Sequence, residues 1–287
     1  MTQSLMHYDF HSHTYYSDGV LSPCDLVDRA RSENLQLLAI SDHDSISGLM
    51  EAKQYLKQQT ITDLKLINAV ELSVQTDFGE IHMVGLNIDP FNTELLKVIE
   101  LQQQKRLERL SVYEEKFNRI NIFGIEQATL DLSTQVVTRS HLARALVLMN
   151  LVKDNQQAFK KYIGKKGRIK VATNWVAMEQ AILAIHGAGG LAILAHPTRY
   201  PMSNRRLTYL IEEFSLAGGD ALEVAYPSLS PDKKAWLLQL RQKHDLLVSG
   251  GSDFHYPDLK WTDLGRFPRI DSNIPHVIDI INNKLKV

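Results

Sequence analysis

Residues 8–19 read Tyr-Asp-Phe-His-Ser-His-Thr-Tyr-Tyr-Ser-Asp-Gly. Tyr8 to Phe10 reads as a short buried strand, and polar residues begin as soon as it ends. His11 and His13 are two apart, so on an extended backbone their rings project to the same side. Asp9 and Asp18 bring carboxylates close by. Two imidazoles with carboxylates at a strand end form the beginnings of a ligand set for a divalent cation. A lone His-x-His pair is weak evidence; its weight here comes from similar clusters further along the chain.

Downstream, Ser22-Pro23-Cys24-Asp25 carries a capping residue, a proline at the first helical position and an acid three after the cap. Leu26, Val27, Ala30 and Leu35 suit the buried side of the helix that follows. Leu37 to Ile40 is an apolar strand running into Ser41-Asp42-His43-Asp44, and a helix is expected from about Ile46 to Gln58. Leu64 to Val70 is read as a third strand ending at Glu71. Ile81 to Leu86 is a fourth, with His82 facing opposite to Ile81 and Met83.

From about Thr93 the rhythm becomes helical. Long periodicity covers Glu94 to Arg119, with further helices expected at Ser140–Leu148 and around Gln156–Tyr162. Residues 93–171 are therefore expected to form a helical insertion over the site, within a barrel made of residues 1–92 and 172–287. Lys160, Lys161, Lys165, Lys166, Arg168 and Lys170 crowd around Gly164 and Gly167. Such a run either guides a polyanion or is a solvated face.

Alternation returns with Asn174 as the expected cap of a helix to Ala188. Strand Leu191–Leu194 then ends in Ala195-His196-Pro197, and strand Ala221–Val224 ends near Tyr226. Strand Leu246–Ser249 runs into Gly250-Gly251-Ser252-Asp253-Phe254-His255. Helices are expected at Arg205–Ala217, Asp232–His244 and Ile274–Lys284.

The chain of 287 residues has a net charge of −1, so it is not a general polyanion binder. Its one cysteine, Cys24, excludes an internal disulfide or a cysteine zinc cluster and reads as a small helix-facing residue. With no basic-apolar leader and no apolar run of membrane-spanning length, a soluble cytoplasmic protein is expected.

Alternating strands and helices argue for an α/β fold with a mainly parallel sheet, and about seven strands suggest a closed or nearly closed barrel. In such barrels chemistry gathers at the C-terminal strand ends, where His11, His13, Asp42, His43, Glu71, His196, Asp253 and His255 all fall. Imidazole mixed with carboxylate and no thiolate suits manganese, iron or zinc better than magnesium or calcium. The candidates outnumber what one tetrahedral ion uses, so two or three metals sharing bridging carboxylates are expected. Such a cluster activates water and clamps attacking and leaving oxygens, which is phosphate-ester hydrolysis.

Asp-Phe-His-Ser-His with Ser-Asp-Gly, Ser-Asp-His-Asp, Val-Glu-Leu-Ser, Glu-Ile-His-Met-Val-Gly, Ala-His-Pro and Gly-Ser-Asp-Phe-His, in this order, resemble the PHP (polymerase and histidinol phosphatase) superfamily. Residues 137–144, the lysine-rich loop and His196-Pro197-Thr198-Arg199-Tyr200 are similar to one subgroup. It contains the nucleoside 3′,5′-bisphosphate phosphatases and 5′→3′ exoribonucleases of the RNase AM type. The resemblance implies a distorted seven-stranded (β/α) barrel of PHP type holding three divalent ions, manganese first among them, with iron or zinc as the alternatives. His11, His13, Glu71 and Asp253 would hold the first ion. Glu71, as a bridge, with His82 and His196 would hold the second, and Asp18, His43 and His255 the third. A metal-bridging hydroxide, positioned by Glu71, His82, His196 and Asp253, is the implied nucleophile. Asp9, Asp42 and Asp44 are read as acceptors holding ligand imidazoles from behind, or else as turn and cap residues.

Arg139 and Arg199 offer guanidinium forks for a second phosphate. Thr198 stands where the subgroup often has glycine, which bears on how Arg199 is aimed. His141 suits a pocket or a satisfied helix face, and Tyr226 a base pocket or packing. His7, His186, His244 and His276 are read as structural or surface residues. The expected substrates are nucleoside 3′,5′-bisphosphates, losing the 3′-phosphate, and RNA with a 5′-monophosphate, trimmed 5′→3′. No membrane and no obligatory protein partner is implied. The alternatives are a small-metabolite phosphatase of the histidinol-phosphatase kind, or a non-catalytic metal-stabilised binding module.

Overall fold

In a computed structural model describing residues 7–257 and 262–284, β1 (Tyr8–Asp9) lies parallel to β2 (Leu37–Ile40), and β2 to β3 (Lys65–Thr76). β4 (Gly79–Leu86) runs antiparallel to both β3 and β6 (Leu191–Leu194), while β7 (Ala221–Ala225) and β8 (Leu247–Gly250) continue parallel to β6. β5 (Val176–Ala177) adds to β3 outside this path. Past the ends of β1 and β8 the ring is drawn together by His13 N–H to the Phe254 carbonyl at 2.9 Å and Asp253 N–H to the His11 carbonyl at 2.8 Å. The result is a nearly closed seven-strand barrel.

The sheet is mainly parallel, as expected, and turns antiparallel at β4. Only Asp77 and Phe78 separate β3 from β4, and so short a link joins antiparallel neighbours, whereas a parallel pair needs a long crossover. The expected end of β3 at Val70 is also corrected. Glu71-Leu72-Ser73-Val74-Gln75-Thr76 continues the strand with two-residue alternation and pairs with β4 from Glu71↔Val84 to Thr76↔Gly79. Glu71 thus lies inside a strand, in a hairpin that rises past the barrel rim. Asn174 is not a helix cap, because Val176 pairs with Val74; the following helix, α7 (Met178–Gly187), is preceded by Ala177 without a side-chain cap.

Helices cover the barrel. In α1 (Pro23–Ser32) the Ser22 hydroxyl accepts the Asp25 N–H at 3.0 Å, and Leu26, Val27 and Ala30 are buried against Leu38 and Ile40. α2 (Ser47–Gln58), α8 (Asn204–Leu216), α9 (Pro231–Lys243) and α10 (Val277–Lys284) complete the cover with α7. α3 (Thr93–Asn118) is capped by Asn92 and serves two cores. Leu95, Val98 and Ile99 pack into the barrel's apolar cluster. Leu110, Tyr113 and Phe117 join a second cluster with α4 (Ile125–Leu130), α5 (Arg139–Leu148), α6 (Asn155–Ala158) and the π-turn Phe159–Ile163. Among the described residues no helix is long and apolar enough to cross a membrane.

Candidate metal centre

The loop after β1 carries His11, His13 and Asp18, β2 leads to His43, and the β3–β4 hairpin contributes Glu71 and His82. β6 leads to His196, and β8 to Asp253 and His255. Two of these positions are left-handed without being glycine: His196 at φ 32° and Asp253 at φ 53°. That conformation costs on the order of 1–3 kcal/mol and turns the side chain back over the mouth just after a strand ends. Glycines give the loops room. A Cβ at Gly251 would stand 2.4 Å from the His11 Cβ, and one at Gly19 would stand 2.3 Å from the His13 carbonyl.

Glu71 is the hub. Its Oε2 lies 3.3 Å from His11 Nε2, 3.2 Å from His13 Nε2 and 3.0 Å from His43 Nδ1. Its Oε1 is 3.2 Å from both His82 Nδ1 and His196 Nε2. Asp253 Oδ1 stands 3.4 Å from His11 Nε2 and 3.2 Å from His13 Nε2, and Asp18 Oδ1 is 3.2 Å from His255 Nε2 and 3.7 Å from His43 Nε2. All nine sequence-selected ligands therefore converge. Their donor atoms fall into four overlapping groups, each within 4.8 Å: His13-Asp18-His43-His255, His11-His13-Asp253, His11-Glu71-His196 and His43-Glu71-His82.

The donor set fits divalent cations. His11 Nε2, His13 Nε2, Asp18 Oδ1, His43 Nδ1, Glu71 Oε2 and His82 Nδ1 are buried and form no hydrogen bond, although they crowd one another. An unsatisfied buried polar atom costs about 1–3 kcal/mol. Several lone pairs aimed at shared points are what bound cations would satisfy.

The groups holding these ligands from behind are only partly the expected ones. His11 Nδ1 meets Glu223 Oε1 at 2.7 Å, while Glu223 Oε2 accepts the His196 backbone N–H at 2.6 Å. Glu223 is 1% exposed. Sequence reading missed it, although an acid in the otherwise apolar Ala221-Leu222-Glu223-Val224-Ala225 was a usable signal. Among the described residues Asp9, Asp42 and Asp44 accept from no imidazole, which corrects the first of the two expected roles and leaves the second, residues that hold turns. Asp9 accepts the backbone N–H groups of His11, Ser252 and Gly265. Asp42 accepts from Thr14 N–H at 2.7 Å and from the hydroxyls of Thr14 and Ser17, so it shapes the ligand loop through its backbone. Asp44 accepts from Ser73 N–H and from Arg106 Nε at 2.8 Å, clamping α3 to the rim.

Electrostatics follow from this crowding. Burial opposes charge on His13, but Asp253 and Glu71 outweigh it and raise its pKa to about 10; His82 is likewise raised, to about 9, chiefly by Glu71. Burial would raise Glu71, yet His11, His43 and His82 hold it well below the usual range. A raised histidine adds stability below its unfolded pKa, about 6.5, and that stability is lost as pH climbs through the folded value. Metal-free protein is therefore expected to lose about 5 °C or more of melting temperature between pH 7 and pH 10. Saturating divalent metal should abolish the loss, because ligation needs neutral imidazoles. Calorimetry across pH with and without metal checks this; parallel curves would contradict it.

Toward the outside, Arg199 pairs with Asp253 and lies 5.2 Å over the Tyr226 ring. Tyr226 is 1% exposed and its hydroxyl is bonded to Thr198, so its role here is packing under the Pro197–Arg199 turn. Arg139, two-fifths exposed, faces Glu80 Oε1 at 3.7 Å. Arg109 approaches the same carboxylate at 3.7 Å, a residue that sequence reading did not single out. His141 Nδ1 accepts the Thr138 N–H at 3.2 Å in a capping box, and burial lowers its pKa to about 4. His186 and His276 pair with Asp220 and Tyr8 outside the centre.

Residues 9–186 match the PHP domain. The chain is 38% identical over 269 residues to a 5′-3′ exoribonuclease from Haemophilus influenzae, covering 93% of this chain and 97% of the relative. It is 36% identical to a 3′,5′-nucleoside bisphosphate phosphatase from Chromobacterium violaceum, covering 90% of each. Among solved structures, an amidohydrolase from Chromobacterium violaceum, with bound sulfate and no metal, superposes with a TM-score of 0.88 at 32% identity, over 97% of this chain and 96% of that one. With a strand-end histidine and carboxylate centre in a nearly closed barrel, and relatives matched over almost its whole length, this chain belongs to the PHP domain family.

Proposed function

We propose that this chain is a metal-dependent phosphoric ester hydrolase acting at the 3′-oxygen of 5′-phosphorylated nucleotides. It removes the 3′-phosphate of nucleoside 3′,5′-bisphosphates and releases nucleotides from the 5′ end of 5′-monophosphorylated RNA, in the cytoplasm. The observation that carries the reading is the crowding of five imidazole nitrogens around Glu71 at a barrel mouth, where six buried donor atoms, Glu71 Oε2 among them, form no hydrogen bond. The names of two relatives, an exoribonuclease and a bisphosphate phosphatase, give the substrate class.

His11, His13, Asp18, His43, Glu71, His82, His196, Asp253 and His255 would hold the cations, which we take to be three, with manganese favoured by the mixed donor set. Bound there, they would lower the pKa of water and neutralise phosphoryl oxygen charge. The P–O3′ bond breaks as the water oxygen joins phosphorus, and the 3′-oxygen leaves with a proton. Glu223 keeps His11 in the tautomer whose Nε2 faces inward. Arg139, Arg199 and His141 receive the 5′-phosphate. Both proposed substrates share that anchor, because the scissile phosphomonoester and the scissile internucleotide diester occupy the same 3′-position. Residues 93–171 form the insertion above the mouth, supported by their own apolar cluster and by the Arg106–Asp44 clamp.

An assay with manganese comparing adenosine 3′,5′-bisphosphate, a 5′-phosphorylated oligoribonucleotide and histidinol phosphate tests this. Equal or better turnover of histidinol phosphate would overturn the nucleotide assignment. Arg139→Ala should cost about tenfold in kcat/KM on the bisphosphate, near 1.4 kcal/mol for one charge-assisted phosphate contact, and leave a generic aryl phosphate within twofold. Equal loss on both would remove Arg139 from substrate selection.

A further inference from the structure

The loop after the π-turn carries a feature that hydrolysis of a mononucleotide does not use. Between Asp154 and Glu179 there is no acidic residue, yet there are six cations: Lys160, Lys161, Lys165, Lys166, Arg168 and Lys170. All six are exposed, and among the described residues none forms an ion pair. An ordinary solvated stretch mixes charges of both signs; this one carries a single sign.

Nor is the loop a loose basic tail. Gly164 N–H bonds the Phe159 carbonyl and Gly167 N–H bonds the Gly164 carbonyl, both at 2.8 Å; Arg168 N–H and Ile169 N–H return to Lys161 and Tyr162. A Cβ at Gly164 would stand 2.5 Å from the Phe159 carbonyl oxygen, and one at Gly167 2.2 Å from that of Tyr162. Tyr162, Ile163 and Ile169 are buried beneath. The backbone is thus folded tightly onto the π-turn with its cations held outward, at a helix irregularity of the kind frequent at functional sites.

The loop also borders the mouth. Lys165 Nζ donates to the Pro201 carbonyl at 3.1 Å, two residues beyond Arg199, whose guanidinium pairs with Asp253 of the centre. Resting on the function proposed above, we propose that Lys165, Lys166 and Arg168 form a track for the RNA backbone on the 3′ side of the scissile bond. A nucleoside bisphosphate ends at the scissile phosphate and does not reach this surface. A longer chain must leave the mouth, and this acid-free loop offers its phosphates exposed cations held in no ion pair among the described residues.

The test uses the manganese-loaded enzyme and its Lys165→Gln/Lys166→Gln/Arg168→Gln variant. The probe is a 5′-phosphorylated decaribonucleotide with methylene replacing the first bridging 3′-oxygen, read by fluorescence anisotropy over a salt series. The variant should bind tenfold or more weakly, and its log-affinity slope against log salt should shrink by about 2, since each lost contact to a single strand removes roughly 0.7. Bisphosphate kcat/KM should stay within twofold, a Lys166→Arg/Arg168→Lys variant should bind like the wild type, and so should Lys243→Gln at the far end of α9. Unchanged RNA affinity, an equal loss of bisphosphate turnover, or a wild type that does not bind the probe would each overturn the track. A wild type that binds the probe but does not cleave ordinary RNA would instead refute the exonuclease reading and leave the track standing.

Discussion

Glu71→Gln is expected to lower kcat/KM by at least about a thousandfold, and purified protein should carry clearly less metal. Five imidazole nitrogens lie within 3.3 Å of the two carboxylate oxygens, so this side chain alone touches ligands from β4 and from the loops after β1, β2 and β6. Glutamine keeps the shape and removes the charge. Its amide N–H groups can bond imidazole lone pairs, so the variant should fold while losing the anion that shared cations require. Metal analysis, circular dichroism and turnover of adenosine 3′,5′-bisphosphate check the outcome. A folded variant with full metal content and near wild-type turnover would dissolve the centre described here.

Glu223→Gln should weaken metal binding by about 10–100-fold, with turnover largely restored at high metal concentration. One carboxylate oxygen takes the His11 ring and the other the His196 backbone N–H. Each oxygen needs a donor opposite it, and an amide satisfies only one of the two. His11 then loses the partner that fixes its tautomer, or His196 loses the bond holding its left-handed turn at φ 32°. Metal titrations followed by activity separate this from collapse. A variant that no metal concentration rescues would show Glu223 to be a folding residue instead of a positioning one.

Much of this was legible along the chain, and the failures have physical causes. Strand-end clusters such as Asp42-His43 and Asp253-Phe254-His255 stand out because polar residues directly after short apolar runs are a local pattern. The helix start at Ser22-Pro23 is visible for the same reason: a cap involves only its own next three residues. Glu71 reads as a strand end because a charged residue there interrupts the apolar stretch, although Leu72-Ser73-Val74-Gln75-Thr76 alternates as a strand does. Pairing with β4 extends the strand, and pairing is a property of two segments. Asp9, Asp42 and Asp44 lie beside the candidate ligands along the chain, but a carboxylate's partner depends on which loop packs against it. Arg106 reaches Asp44 from 62 residues away, a separation no local motif records.

Residue order alone was enough to specify the donor chemistry, the alternation that builds a barrel, and the change to helices after residue 93, since each depends on neighbours along the chain. The direction of β4, the placing of Glu71 among five imidazoles, the double grip of Glu223 and the seating of the cationic loop beside Pro201 were decided by tertiary structure. Those are contacts between distant segments, selected by burial and by the need to satisfy polar groups within it, and they exist only once the barrel has closed.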